Sequence, residues 1–144
     1  MKQSIPAAVR DFNRFYTAVI GLLDRHVLNS AFSLPEARIL YALYHTPACT
    51  ARELMEQLPI DKGYLSRVLA SFTKKGLVVK KKSREDGRAA HLLLTHKGKT
   101  EFEKLDTASD LQIKHIMKNI SDKDQLALVQ HMLAIKKILH SSLL

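Results

Sequence analysis

A mainly α-helical fold with one small β-hairpin is predicted by three observations on this sequence. Apolar residues recur at three- and four-residue spacing along most of its 144 residues. That rhythm breaks once, where Leu77-Val-Val-Lys-Lys-Lys and Arg88-Ala-Ala-His-Leu-Leu-Leu flank a Ser-Arg-Glu-Asp-Gly turn. The third observation is electrostatic. Eleven of the 23 lysines and arginines lie between positions 62 and 99, with only Glu85 and Asp86 against them. That stretch therefore holds the whole formal charge of +9, and the rest of the chain balances.

Each element carries its own signal. A first helix is expected from about Ile5 to about Leu28, with Val9, Phe12, Phe15, Tyr16, Ile20, Leu22, Leu23 and Val27 as its apolar residues. Ser33, Pro35 and Glu36 open a second helix, which reaches about Tyr44. Serine and glutamate three apart satisfy each other's orphan backbone donors, and proline suits a first turn. Thr50 and Glu53 repeat that box before a short helix, Ala51 to Leu58, with Leu54, Met55 and Leu58 on one face. Pro59 ends it, because proline lacks a donor and restrains the residue before it. Asp61 caps the next helix, where Leu65, Val68, Leu69 and Phe72 form a stripe at i, i+3, i+4, i+7. Gly76 stops that helix after Lys74-Lys75. Beyond the hairpin, Thr95 caps a long helix to about Asn119. Ser121, with Asp122 and Asp124 in the first turn, starts a last helix to about Leu139.

Helix, turn, basic helix and basic-tipped hairpin is the order of a winged helix-turn-helix. A lysine-rich run alone is as easily a solvated face, so the placement of the charges decides. Opposite the Leu65/Val68/Phe72 stripe lie Gly63, Arg67, Ala70 and Lys74, with Lys62 and Ser66 beside them. A helix fits the major groove of duplex DNA, where base pairs differ in their donors and acceptors. A neighbouring hairpin can place an arginine in the minor groove, and lysines neutralise phosphates. The expected DNA-contacting residues are Lys62, Gly63, Tyr64, Ser66, Arg67 and Lys74 on the helix, with Lys81, Arg84, Asp86 and Arg88 on the hairpin. Two assignments stay open. Tyr64 either packs on the domain or reaches a phosphate, and Arg88 either enters the minor groove or pairs with Asp86.

Several motifs in order resemble the MarR family of bacterial transcriptional regulators. They are Ser33-Leu-Pro-Glu-Ala-Arg-Ile-Leu, Thr50-Ala-Arg-Glu-Leu, Lys62-Gly-Tyr-Leu-Ser-Arg-Val-Leu, Lys75-Gly-Leu-Val, Glu85-Asp-Gly-Arg-Ala and Leu94-Thr-His-Lys-Gly. Asp86-Gly87-Arg88 is similar to the family's wing motif, in which the arginine enters the minor groove and the aspartate helps hold the loop. Pro59 departs from the pattern, since the family commonly has a glycine in that turn; a stiffer turn is expected. Val9-Arg-Asp-Phe-Asn-Arg-Phe-Tyr-Thr resembles a branch fused to an acetyltransferase domain, and no such domain is expected within these residues. The resemblance also implies a homodimer and an effector pocket between the dimer helices and the DNA-reading part, with aromatic ligands common. Phe12, Tyr16, Tyr41 and Tyr44 are candidates for its walls, although such residues are more often ordinary core.

One domain, 1–144, is expected: 33–95 as the winged part, 1–30 and 96–144 as dimerisation helices. The last helix, with Leu126, Leu128, Val129, Met132, Leu133, Ile135, Ile138 and Leu139, is apolar around more than one face. Such a helix either spans a core or packs on another chain. A dimer also suits DNA, because winged helices of this size read two half-sites about one duplex turn apart. No apolar run follows Met1-Lys2, and Asp11, Arg14 and Asp24 interrupt the first helix, so neither signal peptide nor membrane span is expected and the location is cytoplasmic.

Other chemistries are weaker. A single cysteine excludes an internal disulfide. Cys49 precedes the Thr50 cap but is expected to be buried and structural, since the family's oxidant sensors share a cysteine near the first helix that this chain lacks. None of the seven histidines pairs at i, i+4, so no metal is expected; ligands gathered across helices, such as His45 with His115, are the alternative. No nucleophile elbow, phosphate loop or paired-acid motif argues for an enzyme, and no cofactor is expected. The expectation is a ligand-responsive repressor that binds a palindromic operator as a homodimer. Its alternative is a constitutive architectural or adaptor protein that binds DNA without an effector.

Overall fold

The computed structural model describes residues 2–27, 30–82 and 90–143, the side chains of 20–27 excepted. The order is α1 (Ile5–Val27), α2 (Leu34–His45), α3 (Ala51–Gln57), α4 (Lys62–Lys74), β1 (Val78–Lys82), β2 (Ala90–Leu94), α5 (His96–Met117) and α6 (Asp122–Leu143). This is the mainly helical, winged architecture that the sequence predicts. Two compact units divide the chain, Met1–Ser109 and Asp110–Leu144.

The helix starts follow local chemistry. Ser33 closes both halves of its box: its hydroxyl accepts from Glu36 N at 3.3 Å, and Glu36 Oε1 accepts from Ser33 N at 3.1 Å. Thr50 makes the hydroxyl half, accepting from Glu53 N at 3.2 Å. Asp61 accepts from Tyr64 N at 2.9 Å, so α4 begins where the sequence places it. Leu58 is the extended C-cap of α3 rather than its last helical residue, as expected of a position before proline.

Within the first unit, α2, α3, α4 and the hairpin close on one core. Ile39, Leu40, Leu43, Cys49, Leu54, Leu65, Phe72, Leu77, Val78 and Leu92 are its fully buried members, joined by Leu69 of α4 and by Phe102 and Leu105 of α5. Phe32 meets Phe72 edge-on, with ring centroids 6.0 Å apart. Burying one such ring stabilises by roughly 1.5–3 kcal/mol. Among the described residues, no polar or charged one is buried.

The hairpin is fastened at its root. β1 and β2 pair antiparallel, with Val78 opposite Leu94 and Lys81 opposite His91. Gly76 takes φ +75°, Gly76 N donates to Thr73 O, and Leu77 N donates to Phe72 O, so two of α4's last carbonyls are satisfied. Across the corner, Thr95 Oγ1 donates to Gly76 O at 2.6 Å and Thr95 N to Leu77 O at 2.9 Å. Lys97 Nζ donates to Lys75 O at 3.0 Å. Thr95 Oγ1 also accepts from Gly98 N, which caps α5. A Cβ on Gly98 would run into the Leu77 carbonyl, so this close approach requires glycine.

In the second unit, α5 ends at Met117, two residues before the expected stop, and Gln125 Nε2 donates to Met117 O and Ile120 O. α6 runs to Leu143, four residues past the expected end. Ser141 and Ser142 turn their hydroxyls onto the helix's own Lys137 and Leu139 carbonyls and so do not break it. No residue of α6 is buried.

Candidate nucleic-acid interface

The buried stripe of α4 fixes what its other side presents. With Leu65, Val68, Leu69 and Phe72 buried, Lys62, Gly63, Ser66, Arg67 and Lys74 all face solvent. These expected residues are brought together on one helix face. Gly63 sits between two charges: a Cβ there would lie 3.3 Å from Asp61 Oδ1 and 3.8 Å from the Arg67 guanidinium. Arg67 therefore folds back along the first turn over a position without a side chain. Tyr64 is half-buried and packs against the core.

The strands add charge beside this helix. Lys80, Lys81 and Lys82 are exposed on β1, and Lys81 is paired with His91. The His91 ring Nδ1 lies 2.8 Å from the carbonyl oxygen of Ala48, a residue held at φ +61°. Arg84, Asp86 and Arg88 lie outside the described residues.

Cys49, next along that loop, is 1% exposed. Its carbonyl accepts from Leu92 N at 2.8 Å, tying the entry of α3 to β2. Burial pushes its thiol up from the ordinary value, and the nearby Glu53 charge pushes the same way. A thiol so placed is a poor nucleophile.

The aromatic candidates fall into two sets. Tyr41 and Tyr44 join His45 around Phe102, with the Tyr44 and Phe102 centroids 4.5 Å apart. The Tyr44 hydroxyl donates to Glu103 Oε1 at 3.0 Å, and that bond, followed by the carboxylate's charge, raises its pKa. His45 and Phe102 were missed by sequence reasoning, because one lies at a helix end and the other reads as plain core. Phe12 and Tyr16 stack on each other on α1, centroids 5.6 Å apart. Among the described residues, no group of three or more His, Cys, Asp or Glu could hold a metal ion, and no helix is long and apolar enough to cross a membrane.

Similarity to known proteins matches this geometry. Residues 32–89 match a family model described as MarR family. The organic hydroperoxide resistance transcriptional regulator of Bacillus subtilis (strain 168) is 34% identical over 92 residues, which are 64% of this chain and 58% of that protein. The chain spans about three fifths or less of the length of the curated relatives it matches. The crystal structure of Streptococcus pneumoniae FabT in complex with DNA superposes with a TM-score of 0.80 at 18% identity, covering 92% of this chain and 98% of that one. The PcaV transcriptional regulator from Streptomyces coelicolor, in complex with its natural ligand, gives 0.73 at 18% identity, covering 95% and 97%.

Proposed function

We propose that this chain is a DNA-binding transcriptional regulator of the MarR type in the bacterial cytoplasm, the match of residues 32–89 to that family's model supporting the reading. One observation carries the reading: α4 buries a single stripe and turns Lys62, Gly63, Ser66 and Arg67 outward together, with lysines of β1 beside them. Arg67 reads base edges in the major groove, the lysines hold phosphates, and Arg88 of the wing enters the minor groove. A second copy of the chain supplies the second half-site of a palindromic operator. The exposed apolar residues of α1 and, separately, those of α6 each offer an apolar face for that pairing. A small effector that engages the Tyr41/Tyr44 aromatic surface shifts the DNA-binding state, and the regulator acts as a repressor. The PcaV structure with its natural ligand and the FabT structure with DNA, both of similar fold, support this reading. Binding rather than catalysis is the function, in line with the regulators it resembles.

The test separates reading from holding. A bound sequence is first selected from random duplexes. Arg67→Ala should then weaken that site by ~1–3 kcal/mol per half-site while sparing unrelated DNA. Lys81→Ala should weaken all duplexes alike. Equal losses on every duplex from both variants would favour the architectural alternative.

A further inference from the structure

At the start of α4 lies an open cleft of about 250 Å³, lined by Pro35 and Arg38 of α2, by Leu58 through Asp61 of the turn, and by Tyr64. Leu58, Ile60 and Tyr64 pack against the core and give it an apolar floor. Arg38, Asp61 and Tyr64 are the lining residues whose side chains end in polar groups. Asp61 is committed: its Oδ1 caps α4 by accepting from Tyr64 N, which holds the carboxylate on the α4 side. Arg38 is exposed, and it makes no ion pair among the described residues. The charge pattern of the sequence passes over it, because Arg38 belongs to the balanced part of the chain.

We infer that this cleft seats a phosphate of the DNA backbone, gripped by the Arg38 guanidinium and the Tyr64 hydroxyl. The inference rests on the DNA-binding reading above. A duplex that takes α4 in its major groove carries its sugar–phosphate strands along both sides of that helix. The cleft is lined by Asp61 and Tyr64 at the start of α4, and in this reading one strand passes there. Guanidinium presents a planar fork of donors that matches a phosphate, and a phenol adds one neutral donor. This seat fixes the depth and register of α4 and carries no sequence information.

Full-length protein and two duplexes test it, one bearing the selected site and one unrelated. Arg38→Gln should lower the slope of log K against log salt by about 0.9, the share of one phosphate contact. It should weaken both duplexes by roughly tenfold, as loss of one charge-assisted bond implies. Tyr64→Phe keeps the ring and its packing, so it should weaken both duplexes without changing the slope. Unchanged slope and affinity for Arg38→Gln, while Arg67→Ala still loses the selected site, would overturn the phosphate seat. So would a loss confined to one duplex, since Arg38 would then be reading a base. Wild-type binding indifferent to salt would instead sink the DNA-binding reading itself.

Discussion

Helices α4 and α6 are both rich in apolar residues and use them in opposite ways. In α4 they form one stripe, and Leu65, Val68, Leu69 and Phe72 all find partners within the chain. In α6, Leu126, Val129, Leu133, Ile135, Ile138, Leu139 and Leu143 are each at least 41% exposed. A single stripe needs one neighbour, whereas apolar residues spread around a helix need several. The winged part therefore completes its own core from one chain, and α6 presents apolar surface that one chain leaves in water. We propose that a second copy covers it.

That contrast can be broken at either helix. The largest effect is expected in the complete core: Phe72→Ala should cost ~3–5 kcal/mol, read by denaturant unfolding. A cost under 1 kcal/mol would mean that the stripe is not packed as described. At α6, Leu133→Asp should leave the winged part folded and convert the dimer to a monomer. Sedimentation at micromolar concentration reads this directly, and a wild-type monomer would remove the proposed pairing. The smallest effect concerns Cys49. Its folded thiol pKa is raised by burial, so the unfolded chain ionises first as pH climbs past roughly 8.5. Stability is then full below that value and declines as pH rises through the raised folded pKa. Cys49→Ala should flatten the decline in melting temperature across that alkaline window.

How much was legible in the sequence depends on how far apart the partners lie. Ser33, Thr50, Asp61 and Ser121 cap residues three positions away, so the starts of α2, α3, α4 and α6 were readable from spacing. The α4 stripe and the Gly76 stop are equally local. The exposed residues of α4 followed by subtraction, since a helix that buries one side must show the other. Partners brought together by the fold were not legible. Nothing in the string Leu94-Thr-His-Lys-Gly shows that its threonine and lysine will bond carbonyls 19 and 22 positions earlier. Arg38 looks like any balanced surface charge in the sequence, and the fold sets it in the lining of one cleft with Tyr64. The far end of α6 lies beyond the expected stop at Leu139, where Ser141 and Ser142 bond back to carbonyls of their own helix.

The fastening at Gly76, Leu77, Thr95 and Gly98 also says something about how this molecule tolerates change. The chain leaves the end of α4 and returns to the same corner before α5 begins, so the hairpin is a side loop closed at its base. Residues inserted or deleted at its tip alter the reach of the wing without shifting either helix, because the corner bonds carry the geometry across the gap. The two glycines and the threonine at the base are the positions this closure depends on, Gly76 through its φ of +75° and Gly98 through its approach to the Leu77 carbonyl.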